Sequence, residues 1–158
     1  MNTAEIPLRS SRRLLLMTLV VILFSSFIAS LVQTSMGRVD VRDIKIPAHN
    51  GQWVVADLYK PRTATADNPA PLVAVVPGFQ RSKEALANIA IELSRRGMVV
   101  VLIDPYAQGF SSASMSRRAA TTEGYGMFAV VDYVTRTPNL NYIDRTRVGA
   151  TEIGRAHV

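Results

Sequence analysis

The longest apolar stretch lies near the start of the chain, where Leu14 to Val32 gives nineteen residues without a charge. At ~1.5 Å per residue, a helix of this length spans about 28 Å, close to the ~30 Å hydrocarbon core of a bilayer. A buried core helix rarely runs this far without a charged position. A cleaved signal peptide has a shorter apolar stretch of ~7–15 residues, and Ile28-Ala29-Ser30 matches its cleavage site poorly. The pattern therefore predicts a retained transmembrane anchor.

Two sets of cations flank this span and predict its orientation. The set that abuts it on the N-terminal side is Arg9, Arg12 and Arg13. The set on the other side lies further away and is Arg38, Arg42 and Lys45. Because basic residues favour the cytoplasmic side, residues 1–13 are expected to form a basic cytoplasmic tail. The rest is expected outside, in a protein that crosses the cell membrane once and has the lipid bilayer as a partner through Leu14–Val32.

After a short polar linker over residues 33–38, the pattern changes to that of strands. Val39 to Ile46 alternates apolar and polar residues with period two, as a half-buried strand does. His49-Asn50-Gly51 is a turn signal, and Trp53 to Tyr59 is expected to return as the second strand of a hairpin. Leu72 to Val76 is continuously apolar, which is typical of a strand covered on both faces of a parallel sheet.

Strands and helices then alternate. The spacing predicts a helix over Ser82–Arg96, with Ser82 capping its start and Gly97 ending it in a left-handed turn. A second buried strand is predicted at Met98–Ile103, a second helix at Thr122–Arg136 and a third strand at Arg147–Thr151. This order predicts an open parallel α/β sheet with right-handed crossovers and the hairpin as an antiparallel edge.

Composition narrows the possible chemistry. The chain has 158 residues, no cysteine and two histidines, His49 and His157. Thiolate metal sites and cysteine nucleophiles are therefore excluded. The formal charge is +6, but the cations beyond the N-terminal tail are interleaved with acids. Nucleic-acid binders concentrate theirs on one face, so nucleic acid is not an expected partner.

The candidate site lies in the loops at the carboxyl ends of the parallel strands, where open α/β sheets bind ligands. These loops are Pro77–Ser82 and Asp104–Ser112. They contain neither G-x-G-x-x-G nor the Walker pattern, so a Rossmann-like nucleotide binder is a weak alternative. Gly109 to Ala113 hints at a nucleophile elbow, but an elbow needs a strand running directly into its serine and a helix running directly out. Neither is expected at Ser111.

Four segments in order carry a resemblance to a known family. They are Val76-Pro77-Gly78-Phe79, Asp104 to Ser111, Glu123 to Tyr133 and Ile143 to Gly149. The first resembles the H-G-[FGY] segment of α/β-hydrolases and the second their D-x-R-G-x-G-x-S segment. From about Val39 to Thr151 the chain resembles the N-terminal half of such an enzyme. It looks most like bacterial membrane-anchored members related to dienelactone hydrolases and serine aminopeptidases.

The resemblance implies one functional group within the chain, a backbone N–H of the oxyanion hole, and it implies no cofactor or metal. The backbone N–H of Phe79, with Gly78 and Gln80 adjacent, is expected to help to stabilise the oxyanion. An amide aimed at a developing oxyanion contributes ~3 kcal/mol or more in a dry site. The alternative role for the Phe79 side chain is a core aromatic that covers the helix start. Two departures weaken the match, because Pro77 replaces the family histidine and Tyr106 to Gln108 lack the usual arginine.

The family's G-x-S-x-G segment would place a nucleophile about two residues past Thr151, but Glu152 to Val158 contains no serine. One reverse translation of these seven residues nearly reproduces a widely used sequencing adapter. They are therefore expected to be non-native, with a divergent natural terminus as the alternative. Neither His49 nor His157 fits the catalytic base, so no triad is present in the chain.

These features predict a truncated, membrane-anchored serine hydrolase. The parent would cleave a small-molecule ester or amide substrate through an acyl-serine intermediate, and the fragment itself is expected to be inactive, because triad members act as a unit. The alternative is a non-catalytic, membrane-anchored binding module built on half a hydrolase-like sheet.

Overall fold

The structure is a computed structural model that describes residues 8–48, 51–112 and 123–154. The predicted turn at His49–Asn50, the first residue of the predicted second helix and most of the suspected non-native tail lie outside the described residues. Helix α1 is Leu8–Gln33, longer than the apolar run that predicted it. Its segment Ser11–Gln33 has a mean hydropathy of 2.6 and is not buried by the rest of the chain. By length and composition it could cross a membrane, a property that signal sequences share.

Five strands form one mixed sheet. They are β1 (Val39–Pro47), β2 (Trp53–Pro61), β3 (Ala70–Pro77), β4 (Val99–Ile103) and β5 (Ile143–Ile153). Their spatial order is β1-β2-β4-β3-β5. Strand β2 is antiparallel to both β1 and β4, whereas β3 is parallel to β4 and β5. The predicted fold class, an antiparallel hairpin followed by parallel strands with crossover helices, is confirmed.

Both predicted helices of the domain are present, but they start later than predicted. Helix α2 is Ala87–Arg95, after a 3-10 turn at Lys83–Leu86. Helix α3 is Met127–Arg136, after a 3-10 turn at Gly124–Gly126. The late start of α3 follows from the backbone, because Tyr125 (φ 54°) and Gly126 (φ 102°) are left-handed. Gly97 ends α2 at φ 91°, as predicted.

The core lies on both faces of the central strands. On one face, Val101 and Ile103 of β4 belong to a buried cluster with Val130 and Val134 of α3. On the other face, Val100 and Leu102 cluster with Leu86 and Ala90 from the segment that carries α2. All five residues of β4 are fully buried, which explains why their sequence is continuously apolar.

Strand β5 differs from the other parallel strands. It begins at Ile143 and ends at Ile153, so it is longer than the predicted Arg147–Thr151, and Glu152 pairs with Val76. Within the described part of the chain it lies at one edge of the sheet, paired on one side to β3. Gly149 and Ala150 are exposed although they lie on a central stretch of the strand. This edge is therefore much less covered than β4.

Candidate functional site

Two loops meet at the carboxyl ends of the parallel strands, where the sequence predicts the site. One is the segment from Gly78 to Ser82 after β3, and the other runs from Asp104 to Ser112 after β4. The backbone N–H of Arg81 donates to Oε1 of Gln108 across 2.9 Å. The topology thus brings the two predicted loops into direct contact.

Asp104 links the loops from a fully buried position. Its Oδ1 accepts a hydrogen bond from the backbone N–H of Lys83 at 2.7 Å, and its Oδ2 accepts one from Phe110 at 3.0 Å. Ser82 occupies the N-cap position of the Lys83–Leu86 turn, but its side chain makes no capping bond. The prediction that Ser82 caps this segment is wrong, and the side-chain acceptor at the start of the turn is instead Asp104, which accepts from the N–H of Lys83.

The path of the second loop depends on close packing around this carboxylate. Gly109 has a φ of 52°, and a Cβ placed on it would lie only 2.1 Å from Oδ2 of Asp104. Any other residue at this position would have to displace the buried carboxylate. Gly109 is therefore required both by its backbone conformation and by the space available.

The two serines of this loop are structural. The hydroxyl of Ser111 donates to the carbonyl of Asp104 at 2.6 Å and accepts from the N–H of Val55 at 2.8 Å. Ser112 Oγ accepts from the N–H of Trp53 at 2.9 Å. Both hydroxyls hold the loop against β2, and the described part of the segment, Gly109 to Ser112, contains neither a strand nor a helix.

The predicted oxyanion segment lies directly over the end of β5. The N–H of Gly78 donates to the carbonyl of Ile153 at 3.2 Å, and Gln80 adopts a φ of 60°. The side chain of Phe79 is 59% exposed, so it is not a core aromatic that covers the helix start. Gly78, Phe79 and Gln80 follow directly after the carboxyl end of β3, and their role at an oxyanion stays a prediction.

The end of β5 also makes a close backbone contact with this segment. A Cβ built on Gly154, whose φ is 148°, would lie 2.7 Å from Cα and 2.9 Å from N of Gly78. The first residue after β5 and the first residue after β3 therefore touch through their main chains.

An ionic cluster around Lys83 connects the end of the β3–α2 loop to the hairpin strands β1 and β2. Nζ of Lys83 lies 2.7 Å from Asp57, 3.6 Å from Glu84 and 3.9 Å from Asp43. Burial lowers the pKa of Lys83, but the hydrogen bond and charge of Asp57 outweigh it, so the pKa of the ammonium is raised. A lysine held in its charged form ties β2 to the β3–α2 loop and does not serve as a base.

Tyr106 occupies the stretch in which the family arginine is missing. It is 3% exposed, and its hydroxyl donates to Oε2 of Glu123 at 3.1 Å. Burial, together with the hydrogen bond to Glu123, raises the pKa of Tyr106 to about 12. The tyrosine therefore connects the β4 loop to the segment that begins α3.

Sequence reasoning missed the roles of Asp104 and Lys83. A signal was available for Asp104, because an Asp-Pro pair directly after a fully apolar strand places a carboxylate at the sheet edge. No comparable signal marks Lys83, whose partners Asp57 and Asp43 come from distant strands.

No protein-family model matches this sequence, and no curated protein is significantly similar to it. Solved structures do match. A hypothetical protein from Pseudomonas aeruginosa is 25% identical with a TM-score of 0.59, and the match covers 72% of this chain and 35% of that one. The α/β-hydrolase GrgF from a Penicillium species is 18% identical with a TM-score of 0.57, covering 72% and 37%. Est1E from Butyrivibrio proteoclasticus, solved with ferulic acid bound, is 20% identical with a TM-score of 0.57, covering 69% and 41%.

The chain spans less than half of these solved chains. The fold of the matched part is nevertheless that of the α/β-hydrolases, as the sequence segments predict.

Proposed function

We propose that this chain supplies the membrane-anchored, oxyanion-binding part of a serine hydrolase that cleaves ester or small amide bonds. The whole enzyme would act through an acyl-serine intermediate. The observation that carries this proposal is the parallel pairing of β3 with β5, in which Val75 lies opposite Thr151, the last residue before the suspected non-native segment. This register supports the proposal, because a native residue about two positions past Thr151 would lie opposite Pro77, close in sequence to the amide of Phe79.

We assign a role to each part of the loop. A tetrahedral intermediate at the end of β5 would develop negative charge on its oxygen, and a backbone N–H held in place by surrounding structure stabilises such charge without reorganising. Asp104 holds the start of the Lys83 turn, and Gln108 holds Arg81. Phe79 is our candidate for the donor, with Gly78 and Gln80 setting its position. Asp104 and Gln108 are positioning residues.

The chain as given is expected to lack this activity, because its last serine is Ser116, far before β5 in sequence. The full chain, purified in detergent, should hydrolyse p-nitrophenyl acetate no faster than buffer. It should also remain unlabelled by a fluorophosphonate probe, which reacts with activated serines. Turnover that is abolished by Ser111→Ala and retained by Ser112→Ala would overturn the proposed division of labour, because it would place the nucleophile in the β4 loop.

We also propose that α1 is retained as an anchor, with the hydrolase domain on the extracytoplasmic side. The uncharged length of α1 and the three arginines that precede it support this arrangement. A reporter fused after Lys60 tests the orientation. An extracytoplasmic signal is expected, and a cytoplasmic signal would refute the orientation.

A further inference from the structure

The connection between α1 and β1 is a hydrogen-bonded turn. Ser35, Met36 and Gly37 have φ values of 51°, 59° and 72°, so three consecutive residues are left-handed. The N–H of Gly37 donates to the Thr34 hydroxyl at 3.1 Å, and the N–H of Val39 donates to the Thr34 carbonyl at 3.0 Å. The first strand of the domain therefore begins within one tight turn of the end of α1.

A basic pocket of about 420 Å³ opens beside this turn, and we refer to it as the junction pocket. Its lining includes Val39 and Pro61, which are buried. Among the described residues that line it, four arginines and one glutamate give a net formal charge of +3. These charged residues are Arg38, Arg62, Arg95, Arg96 and Glu92.

Two of these arginines come from the paired ends of β1 and β2. The backbone N–H of Arg62 donates to the carbonyl of Arg38 at 3.0 Å, which fixes the two residues side by side. Both residues are exposed, and neither guanidinium forms an ion pair with a carboxylate of the described ranges. The pair therefore presents two uncompensated positive charges at the pocket.

The other two arginines come from the end of α2 and share one acid. Glu92 lies 3.5 Å from Arg95 and 3.1 Å from Arg96. One carboxylate cannot neutralise two guanidinium groups, so this wall of the pocket also keeps a positive charge. Arg95 and Arg96 remain accessible, with side chains 54% and 68% exposed.

An unpartnered hydroxyl lies in the same wall. Ser94 is fully buried, and its Oγ has no hydrogen-bond partner within the described part of the chain. Buried polar groups are almost always satisfied, so an exception calls for an explanation. Met36 also lines the pocket, and 74% of its surface is exposed. An exposed apolar side chain next to arginines is typical of a surface that lies at a membrane interface.

We propose that the junction pocket binds the phosphate of an anionic phospholipid headgroup. This inference rests on the proposed anchoring by α1, which ends at Gln33, five residues before Arg38. Guanidinium groups bind phosphate oxygens in a bidentate way, and cations this close to a membrane surface are attracted to anionic lipids. The net positive charge favours a headgroup with net negative charge, such as phosphatidylglycerol, over zwitterionic phosphatidylcholine. The Ser94 hydroxyl would gain an acceptor after a small local adjustment.

The test uses the full chain in detergent micelles and counts retained lipid by native mass spectrometry. After exposure to equal amounts of both lipids, we expect one phosphatidylglycerol to be retained at least tenfold over phosphatidylcholine. Arg62→Gln should lower this retention about fivefold, whereas Arg136→Gln, which removes the same charge from an exposed pair with Asp132, should leave it unchanged. Arg62→Lys should recover only part of the loss, because ammonium lacks the bidentate geometry.

Three outcomes would overturn the proposal. Equal retention of the two lipids would show that the pocket does not select an anionic headgroup. Equal loss of retention in Arg62→Gln and Arg136→Gln would show that the lipid responds to the net charge of the protein and not to this pocket. Displacement of the lipid by millimolar inorganic phosphate would assign the pocket to free phosphate. Carbonate extraction of membranes tests the anchor separately, since a protein that is extracted yet still selects phosphatidylglycerol would refute the anchor and keep the pocket.

Discussion

The geometry of the candidate site depends most on the carboxylate of Asp104. The substitution Asp104→Asn tests this dependence, because it changes one atom of that group. The amide has nearly the same shape, but it has one oxygen where the carboxylate has two. One of the two backbone donors, Lys83 N–H at 2.7 Å or Phe110 N–H at 3.0 Å, then faces an NH2 group. A hydrogen bond to a charged group contributes about 1.5–3 kcal/mol, and the bond that remains is weakened because the acceptor is neutral. We expect the free energy of unfolding to fall by about 2–4 kcal/mol, a large share of the ~5–15 kcal/mol typical of a domain.

The protein carries its own probe for this experiment. Trp53 is the single tryptophan, and its indole N–H donates to the carbonyl of Phe110 at 3.1 Å. Release of the loop should therefore change tryptophan emission in addition to lowering the urea midpoint. The matched control is Asp132→Asn, which breaks an exposed pair with Arg136 and should cost less than about 0.5 kcal/mol. If the free energy of unfolding of Asp104→Asn lies within 0.5 kcal/mol of the wild-type value and its tryptophan emission is unchanged, Asp104 does not hold the two loops as described.

Two further predictions concern the same loops and the buried tyrosines. Gly109→Ala should destabilise the chain by at least ~2 kcal/mol more than Gly97→Ala. Both glycines have a positive φ, but only a Cβ at position 109 would clash with Asp104. Equal urea midpoints of the two variants would refute this prediction. Burial raises the pKa of Tyr59 to about 12, as it does for Tyr106. Because the unfolded chain ionises these tyrosines first, near pH 10, stability should fall as the pH rises from 10 towards 12. Tyr59→Phe should weaken that dependence, and a urea midpoint that stays constant between pH 9 and pH 11.5 would contradict the assignment.

Local patterns were sufficient to predict the elements of the sheet. The continuous apolar runs of β3 and β4 identify strands buried on both faces, and the period-two alternation of β1 identifies the half-covered edge. The carboxyl ends of parallel strands then locate the site by topology alone. This is why the loops after β3 and β4 could be identified as a pair before any contact between them was known.

Contacts between distant segments were not accessible in the same way. Ser82 has the right residue type and position for a cap but makes no capping bond. The side-chain acceptor at this turn is the buried carboxylate of Asp104, 21 positions after Lys83, and it accepts from the Lys83 N–H. The start of α3 was placed too early because the apolar spacing outweighed Gly124 and Gly126, whose left-handed backbone delays the helix to Met127. In both places a tertiary or backbone constraint overrides a local preference.

Long-read sequencing of the gene past the codon for Thr151 tests the central claim most directly. The account predicts that the reading frame continues into G-x-S-x-G, with a serine about two residues beyond Thr151 and an acid and a histidine further on. In the register of the sheet, the position two residues beyond Thr151 pairs with Pro77, next to Gly78 and Phe79. A native stop codon directly after Val158 would contradict the account.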